Sequence, residues 1–326
     1  MFFALTDDQR EFGSAVATYL TERFDLAAVR TYFEAPSSDD AGALDGLWKA
    51  AGEQGWLAVT VPEEHDGLGL GLIEAQVIAR ALGAGVAPGP WRGSVLAVEV
   101  IRIAGSPEQQ ARWLPRLATG DAVGAVSTGG PVEYGALADV VVTAEGLLTG
   151  FTATSVGSYD RTTRLATLEG GTVEPLPGDT SSLEARATVL VAADLVGIAR
   201  EALTRTVSYD REREQFGVPV GSFQAIKHAL ADLHVGVTMA EHAALYAAHA
   251  VDAGLADADL AVSVAKAKAS DVALQSTAAM IQYHGGIGYT WEHEAHLFYK
   301  RAKRLAGQWG DSGTHRARIA ELTMGG

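Results

Sequence analysis

Three long stretches in the second half of this chain contain no proline and at most one interior glycine each, which leaves little choice but a helical bundle. They read SLEARATVLVAADLVGIAREALTRTVSYDREREQF, SFQAIKHALADLHVGVTMAEHAALYAAHAVDAG and DADLAVSVAKAKASDVALQSTAAMIQYH. A fourth helical stretch runs from about Glu292 to Arg304. Alanine is used heavily on these helices and lets their axes approach closely, so an antiparallel four-helix bundle is expected over residues 183–326.

The front of the chain is helical as well. Thr6-Asp7-Asp8-Gln9 forms a capping box, and Phe12, Val16, Tyr19/Leu20 and Phe24 follow at helical spacing. After a loop around Pro36-Ser37-Ser38-Asp39-Asp40, LDGLWKAAGEQGWLAV predicts a second helix that ends near Gly52 to Gly55. The glycine-rich VPEEHDGLGLGL leads into IEAQVIARALGAG, and a further helix is expected from about Val95 to Ala104. In SPEQQARWLPRLATG, Ser106 caps, Pro107 takes the first helical position and Gly120 stops the helix. From Gly124 to Ser182 the texture changes to short apolar runs such as ADVVVTA and GLLTGFTATSV, punctuated by Gly, Pro, Asp and Ser, which predicts strands. The expected class is mainly α with a small β middle domain: an N-terminal helical domain over 1–123, a reduced β domain over 124–182, and the C-terminal four-helix bundle.

Composition narrows the function. With 326 residues, 48% of them hydrophobic and 20% charged, the chain can bury more than one core. A net charge of -15, without any Lys/Arg-rich block, gives no footprint for nucleic acid or an anionic membrane. The absence of cysteine removes disulfides, thiolate catalysis and thiolate metal sites, and fits a cytoplasmic setting. MFFALTDDQREF meets acids too early for a signal peptide, and runs such as LVAADLVGIA are too short to span a bilayer. The pairs His293/His296 and His242/His249 lack a His-Glu-x-x-His pattern, so no metal site is expected. No nucleophile elbow supports a hydrolase.

Two stretches carry chemistry. In YDREREQFGVPVGSFQAIKHALAD, residues 209–232, Arg213 and Gln215 flank Glu214, Phe216-Gly217-Val218-Pro219 breaks a helix, and Ser222 caps the next one. Residue types alone allow a plain interhelical turn here. In IQYHGGIGYTW, residues 281–291, Gln282 near a helix end precedes Gly285, Gly286 and Gly288. Bare backbone of this kind serves a left-handed turn, a close approach of another segment, or a ligand lying against amides. Glycine amides with Arg213 as counter-charge suit a diphosphate. No strand precedes the glycines, so this is not a dinucleotide-binding βαβ turn.

Together with LWKAAGEQGWLAVTVPEEHDGLGLG and GSPEQQARWLPRLATGDAVGAVS, the motifs REREQFGVP, FQAIKHALAD and IQYHGGIGYTWEHEAHLFYKRAK resemble the flavin-dependent acyl-CoA dehydrogenases over nearly the whole chain. The resemblance implies an N-terminal helical domain, a β-barrel-like middle and a four-helix bundle that drives oligomerisation. It implies FAD as cofactor, with the residues matching Arg213, Gln215, Phe216, Gln282, Gly285 and Gly286 reaching across a subunit boundary to its adenosine diphosphate part. It also implies α,β-dehydrogenation of an acyl-CoA thioester and an electron-transfer acceptor.

The sequence departs from that pattern in two places. The middle segment is much shorter than in the family, and AVSTGGPVEYGALADVVVTA gives no residue-by-residue match to its flavin-facing elements. The family's base, a carboxylate set against the carbon next to the thioester, usually follows the stretch matched here by KRAK. An ungapped count puts Trp309 at that place, and a two-residue shift would bring Asp311 there. A second family position, early in the first bundle helix, falls on Ala187, with Glu184 one turn away. Asp311 is then either the base, with His315 near enough to share a hydrogen bond, or an Asx-type turn capping the last helix. EEHDGLGLG either borders an acyl pocket or only enters a helix, and WEHEAHLFYKR reads as a solvated face with Trp291, Leu297 and Phe298 packed inward. These departures point to a shortened subunit that completes the FAD site of a related, full-length catalytic subunit in a heterotetramer. Such subunits are similar to those of bacterial enzymes oxidising steroid side-chain acyl-CoA esters. The alternatives are a self-sufficient homo-oligomeric dehydrogenase with Asp311 as base, and a non-catalytic assembly subunit.

Overall fold

The computed structural model describes residues 4–36 and 40–325, so Ser37, Ser38 and Asp39 of the expected first loop lie outside the described residues. The chain forms two compact units, Ala27–Ala75 with Pro88–Ala187, and Met1–Leu26 with Gln76–Ala87 and Thr188–Gly326. The class is the expected one, mainly helical with a small β region.

In the first of these units, α3 (Asp40–Glu53), α5 (Trp91–Ala104) and α6 (Pro107–Thr119) accompany seven short strands. Strands β1 (Gly124–Val126), β3 (Val140–Thr143), β4 (Gly146–Thr149) and β7 (Thr172–Glu174) form a sheet in the order β1-β3-β4-β7. Only the β1–β3 pairing is parallel, in register Gly124↔Val140, and the other two are antiparallel. Strands β2 (Val132–Glu133), β6 (Leu165–Glu169) and β5 (Thr152–Val156) make a second, antiparallel sheet. Three consecutive valines show how the layers stack. Val140 and Val142 pack with Ile101, Trp113 and Leu117 of the helices, while Val141 turns the other way to Ala125 and Val132. Side chains alternate along a strand, so a run buried on both faces has to be apolar throughout.

The helix α2 (Leu26–Glu34) was not expected from the sequence. Its nine residues are too few to hold a helix alone. What completes it comes from far along the chain: Arg164 Nη2 donates to the Tyr32 carbonyl at 2.8 Å, and Arg161 Nη2 to the Ala35 carbonyl at 2.7 Å. These guanidinium groups receive carbonyls that a helix end leaves without intrahelical partners.

The other unit contains α1 (Asp7–Arg23), with its Thr6/Gln9 capping box in place, most of α4 (Leu72–Ala84) and the C-terminal helices. Those helices are α7 (Leu183–Glu212), α8 (Gln224–Asp252), α9 (Ala258–Tyr283), α10 (Ala295–Gly307) and α11 (Ser312–Met324). Alanines dominate the buried faces of α8 and α9, among them Ala240, Ala244, Ala265 and Ala269. Helices α4 and α7 cross at two glycines. A Cβ on Gly197 would lie 2.0 Å from the Arg80 carbonyl, and one on Gly83 would lie 2.2 Å from that of Asp194. Two details differ from expectation. Phe223, not Ser222, takes the cap position of α8, because a 3-10 turn already uses Val220–Ser222. Trp291 is 53% exposed because it precedes α10, whereas Leu297 and Phe298 are buried as expected.

One buried ion pair fixes α7 to α10. Arg301 donates through Nη2 and Nε to both carboxylate oxygens of Asp194, and through Nη1 to the Ala87 carbonyl at 2.7 Å. Both side chains are under a tenth exposed. Removing one member of such a pair leaves a bare buried charge. Arg301→Met should therefore lower unfolding free energy in urea by about 3–5 kcal/mol, with much of the loss recovered in the Arg301→Met/Asp194→Leu double variant.

Candidate functional site

The two motif stretches meet. Helix α7 ends at Glu212 and α9 at Tyr283, and the rings of Tyr209 and His284 stack at 4.3 Å with a 23° interplanar angle. Tyr209 lies one helical turn before Arg213, and His284 directly precedes Gly285. The arginine corner and the glycine bend therefore occupy one end of this unit.

Beyond α7 the chain turns back as a two-strand hairpin, β8 (Glu214–Gln215) against β9 (Val218–Pro219), in register Gln215↔Val218. Its two turn residues, Phe216 and Gly217, have φ of 53° and 79°. Positive φ at both positions is the type I′ arrangement, for which Asn-Gly is the favoured pair. A phenylalanine there is strained by about 1–2 kcal/mol. Phe216 is also 94% exposed, its ring edge-on to that of Phe223 with centroids 6.4 Å apart. Arg213 and Gln215 are exposed, and among the described residues the Arg213 guanidinium has no partner.

The glycines divide by role. Gly285 takes φ of 61°, closing α9 with its amide on the Gln282 carbonyl at 3.2 Å. Gly288 is forced by contact, since a Cβ on it would meet the Ile281 carbonyl at 2.5 Å. Gly286 has φ of -56°, and a Cβ on it would meet nothing within 4 Å. Nothing inside the described chain requires a glycine there. Gln282, Gly285 and Gly286 are all exposed, and the bend continues to Tyr289, 89% exposed.

The corner after α10 is a separate place. Trp309 and Gly310 have φ of 55° and 90°, and His315 is bonded through Nε2 to the Trp309 carbonyl at 2.9 Å rather than to the Asp311 carboxylate. Asp311 caps α11, its Oδ1 accepting from the Thr314 amide at 2.8 Å and the Thr314 hydroxyl at 2.9 Å. These bonds hold its carboxyl below the usual range, and Lys266 lowers it further. Lys266 is fully buried on α9 and donates to Ser270 Oγ, the Ala306 carbonyl and the Gly310 carbonyl. Burial brings its ammonium down to about 8. At the second family position, Ala187 is wholly buried and Glu184 lies in the first turn of α7. Among the described residues no group of three or more His, Asp or Glu could hold a metal ion, and no helix is long and apolar enough to cross a membrane.

Sequence reasoning passed over Tyr209 and Asp210, although both stand in the quoted motif. Asp210 is 1% exposed, and neither of its carboxylate oxygens has a hydrogen-bond partner among the described residues. Gly221 packs against it; a Cβ on Gly221 would lie 2.9 Å from the Asp210 carbonyl oxygen and 3.4 Å from its Cβ. Burial alone pushes its carboxyl up to about 6, from an ordinary value of 3.8. The folded chain therefore binds this proton more tightly than the unfolded chain does. Its contribution to stability falls as pH rises from about 4 to about 6, and the penalty is complete above that. Asp210→Asn keeps the shape without the charge. It should raise unfolding free energy by roughly 1–3 kcal/mol at pH 7.5, with the gain vanishing towards pH 4 in urea titrations compared with the unaltered chain.

Comparison with known proteins bears directly on this geometry. Residues 6–121 match the acyl-CoA dehydrogenase N-terminal domain, and residues 184–324 match the acyl-CoA dehydrogenase C-terminal domain. Acyl-CoA dehydrogenase IpdE2 of Mycobacterium tuberculosis is 39% identical over 302 residues, covering 91% of each chain. Its namesake from Mycolicibacterium smegmatis is 34% identical over 304 residues, covering 91% of this chain and 93% of its own. Among solved structures, the ChsE4-ChsE5 complex from Mycobacterium tuberculosis is similar with a TM-score of 0.85 at 25% identity, over 99% of both chains. A variant of the Tcur3481-Tcur3483 steroid ACAD is similar with a TM-score of 0.86 at 25% identity, over 98% of both. By its domain matches and by relatives aligned along nearly its full length, the chain belongs to the acyl-CoA dehydrogenase family.

Proposed function

We propose that this chain is the shortened subunit of a heteromeric, FAD-dependent acyl-CoA dehydrogenase, and that it completes the nucleotide site of a related catalytic partner in a cytoplasmic heterotetramer. The observation that carries the reading is Gly286, a glycine whose conformation and surroundings give it no role within the chain. Open backbone there, at the same end of the unit as the exposed Arg213, whose guanidinium has no partner among the described residues, fits a diphosphate approaching from outside.

The residues fit the adenosine diphosphate part of FAD. Arg213 offers charge-assisted hydrogen bonds, Gly285 and Gly286 offer approachable backbone, and Gln215 and Gln282 offer neutral donors and acceptors. The exposed Phe216 ring, held in a strained turn, offers a flat apolar face. When bound, the flavin supplies a hydride acceptor for dehydrogenation of the acyl-CoA, and passes the electrons on to an electron-transfer acceptor. The proton at the α-carbon needs a carboxylate base, and three features of this chain support placing that base in the partner. Trp309 stands at the main family position, Ala187 stands at the alternative one, and Asp311 is committed to capping a helix. A capping carboxylate held below its usual range is also a weak proton acceptor. Similarity to the ChsE4-ChsE5 complex supports the heteromer, and similarity to the steroid ACAD supports a steroid-derived acyl-CoA as substrate.

Absorbance near 450 nm tests the assignment. The chain purified alone should be colourless, and yellow when co-expressed with a longer homologue that carries an intact glutamate base. A yellow, active lone chain would overturn the reading in favour of a self-sufficient enzyme, and a colourless complex would leave only an assembly role. In the yellow complex, Arg213→Ala should weaken FAD binding by about 10- to 100-fold, the loss of one charge-assisted bond or two. Asp311→Asn still caps a helix and should leave kcat within about twofold, where removal of a true base costs about 100-fold or more.

A further inference from the structure

The glycine loop from Gly285 to Glu292 leaves α9 and returns at nearly the same place. The rings of His284 and His293, on either side of it, lie 4.5 Å apart. Between them, seven of the eight residues are exposed and only Gly288 is buried. Apart from Gly288, which packs back on Ile281, the loop's residues face solvent, so its placement depends on how its ends are fixed.

Both ends are fixed by one helix. On α7, Tyr209 stacks on His284 at the loop's start. Four residues earlier, Arg205 donates through Nη1 to Glu294 Oε1 at 2.9 Å at the loop's end. Residues four apart share a helix face, so a single stripe of α7 holds both ends of the loop. The contacts are themselves braced. His284 is bonded through Nδ1 to the Met280 carbonyl at 2.7 Å and is 5% exposed, while Arg205 also binds Glu201 at 2.7 Å. The His293 Nδ1 accepts the Ala295 amide at 3.1 Å, which sets its ring against His284. The stripe then runs directly into Arg213 on the next turn.

We propose that Tyr209 and Arg205 are positioning residues that lock the glycine loop to the end of α7, which leads directly into Arg213, so that loop amides and guanidinium meet one phosphate group as a rigid pair. Neither side chain touches the nucleotide in this arrangement; each acts through the spacing it imposes. The inference rests on the proposed nucleotide site and specifies how that site is held in register. Preorganisation of this kind lowers the ordering cost of binding, so its loss weakens binding without altering the chemistry.

The test uses the yellow heteromer, with FAD and ADP as probes, and measures Kd by flavin fluorescence and by ADP competition. Tyr209→Leu should raise the Kd of both probes by about tenfold, and Tyr209→Phe, which keeps the stack, should stay within about twofold of the unaltered complex. At saturating FAD, the Tyr209→Leu complex should recover both its 450 nm band and its turnover, a recovery that general damage to the fold would not permit. Amide hydrogen exchange of residues 285–292 in the nucleotide-free protein should accelerate in Tyr209→Leu and not in Tyr209→Phe. Arg205→Met loosens the other end at a partly solvated pair and should weaken ADP in the same direction, with Arg205→Lys restoring part of the loss. An unchanged ADP Kd in both Tyr209→Leu and Arg205→Met, with Arg213→Ala still weakened, would overturn the positioning role and leave the site assignment standing. If Arg213→Ala were also unchanged, the site assignment itself would fall.

Discussion

A carboxylate taken out of water needs a positive partner, and α7 meets that demand at its middle and leaves it unmet at its end. Asp194 has both oxygens on Arg301, and this pair ties α7 to α10 through the core of the bundle unit. Much else depends on that tie. It fixes the helix whose first residues close the glycine loop, and it holds α7 where Gly197 and Gly83 let α4 cross at backbone distance.

Asp210, sixteen residues on along the same helix, shows the rule suspended. Its carboxyl is as buried as that of Asp194, lacks a partner among the described residues, and packs against Gly221, just past a hairpin whose turn already strains a phenylalanine. Two local costs thus fall within seven residues, on a corner whose side chains otherwise face solvent. Natural chains tend to confine such violations to places where function sets the conformation. A hairpin serving only to join two helices could use Asn-Gly and an apolar residue at 210 at no cost to the fold.

The sequence showed the helices and strands well wherever the signal was local. The capping boxes at Thr6 and Ser106, the start of strands at Gly124 and the start of α7 at Leu183 could all be read from short windows. Helix α2 could not, because the arginines that receive its last carbonyls come from residues 161 and 164. At the candidate site the same division holds. The glycine cluster and the Arg213 corner stand out as residue types, yet their convergence depends on a stack between two aromatic side chains that are far apart in sequence. Asp210 was illegible for a related reason. In a run as charged as YDREREQF, nothing marks one acid as buried when its neighbours are exposed.

If the base lies in a partner, as proposed, the corner after α10 shows why its own surroundings need not change. Its shape is set by contacts that owe nothing to proton transfer. Lys266 binds two carbonyls across it, His315 holds the Trp309 carbonyl, and Asp311 starts α11. Even deprotonated, the Lys266 amine keeps two hydrogens for the two carbonyls and can accept from the Ser270 hydroxyl, so the clasp survives on either side of its titration near pH 8. A tryptophan at position 309 carries the same positive-φ strain as Phe216, yet the bonds of Lys266, His315 and Asp311 are in place around it, and Arg316–Asp271 and Arg318–Asp259 also hold α11 to α9. The geometry that would present a carboxylate is kept because the fold needs it to end one helix and begin the next. In the proposed heteromer, a partner with its own base would remove any demand on this chain to supply one.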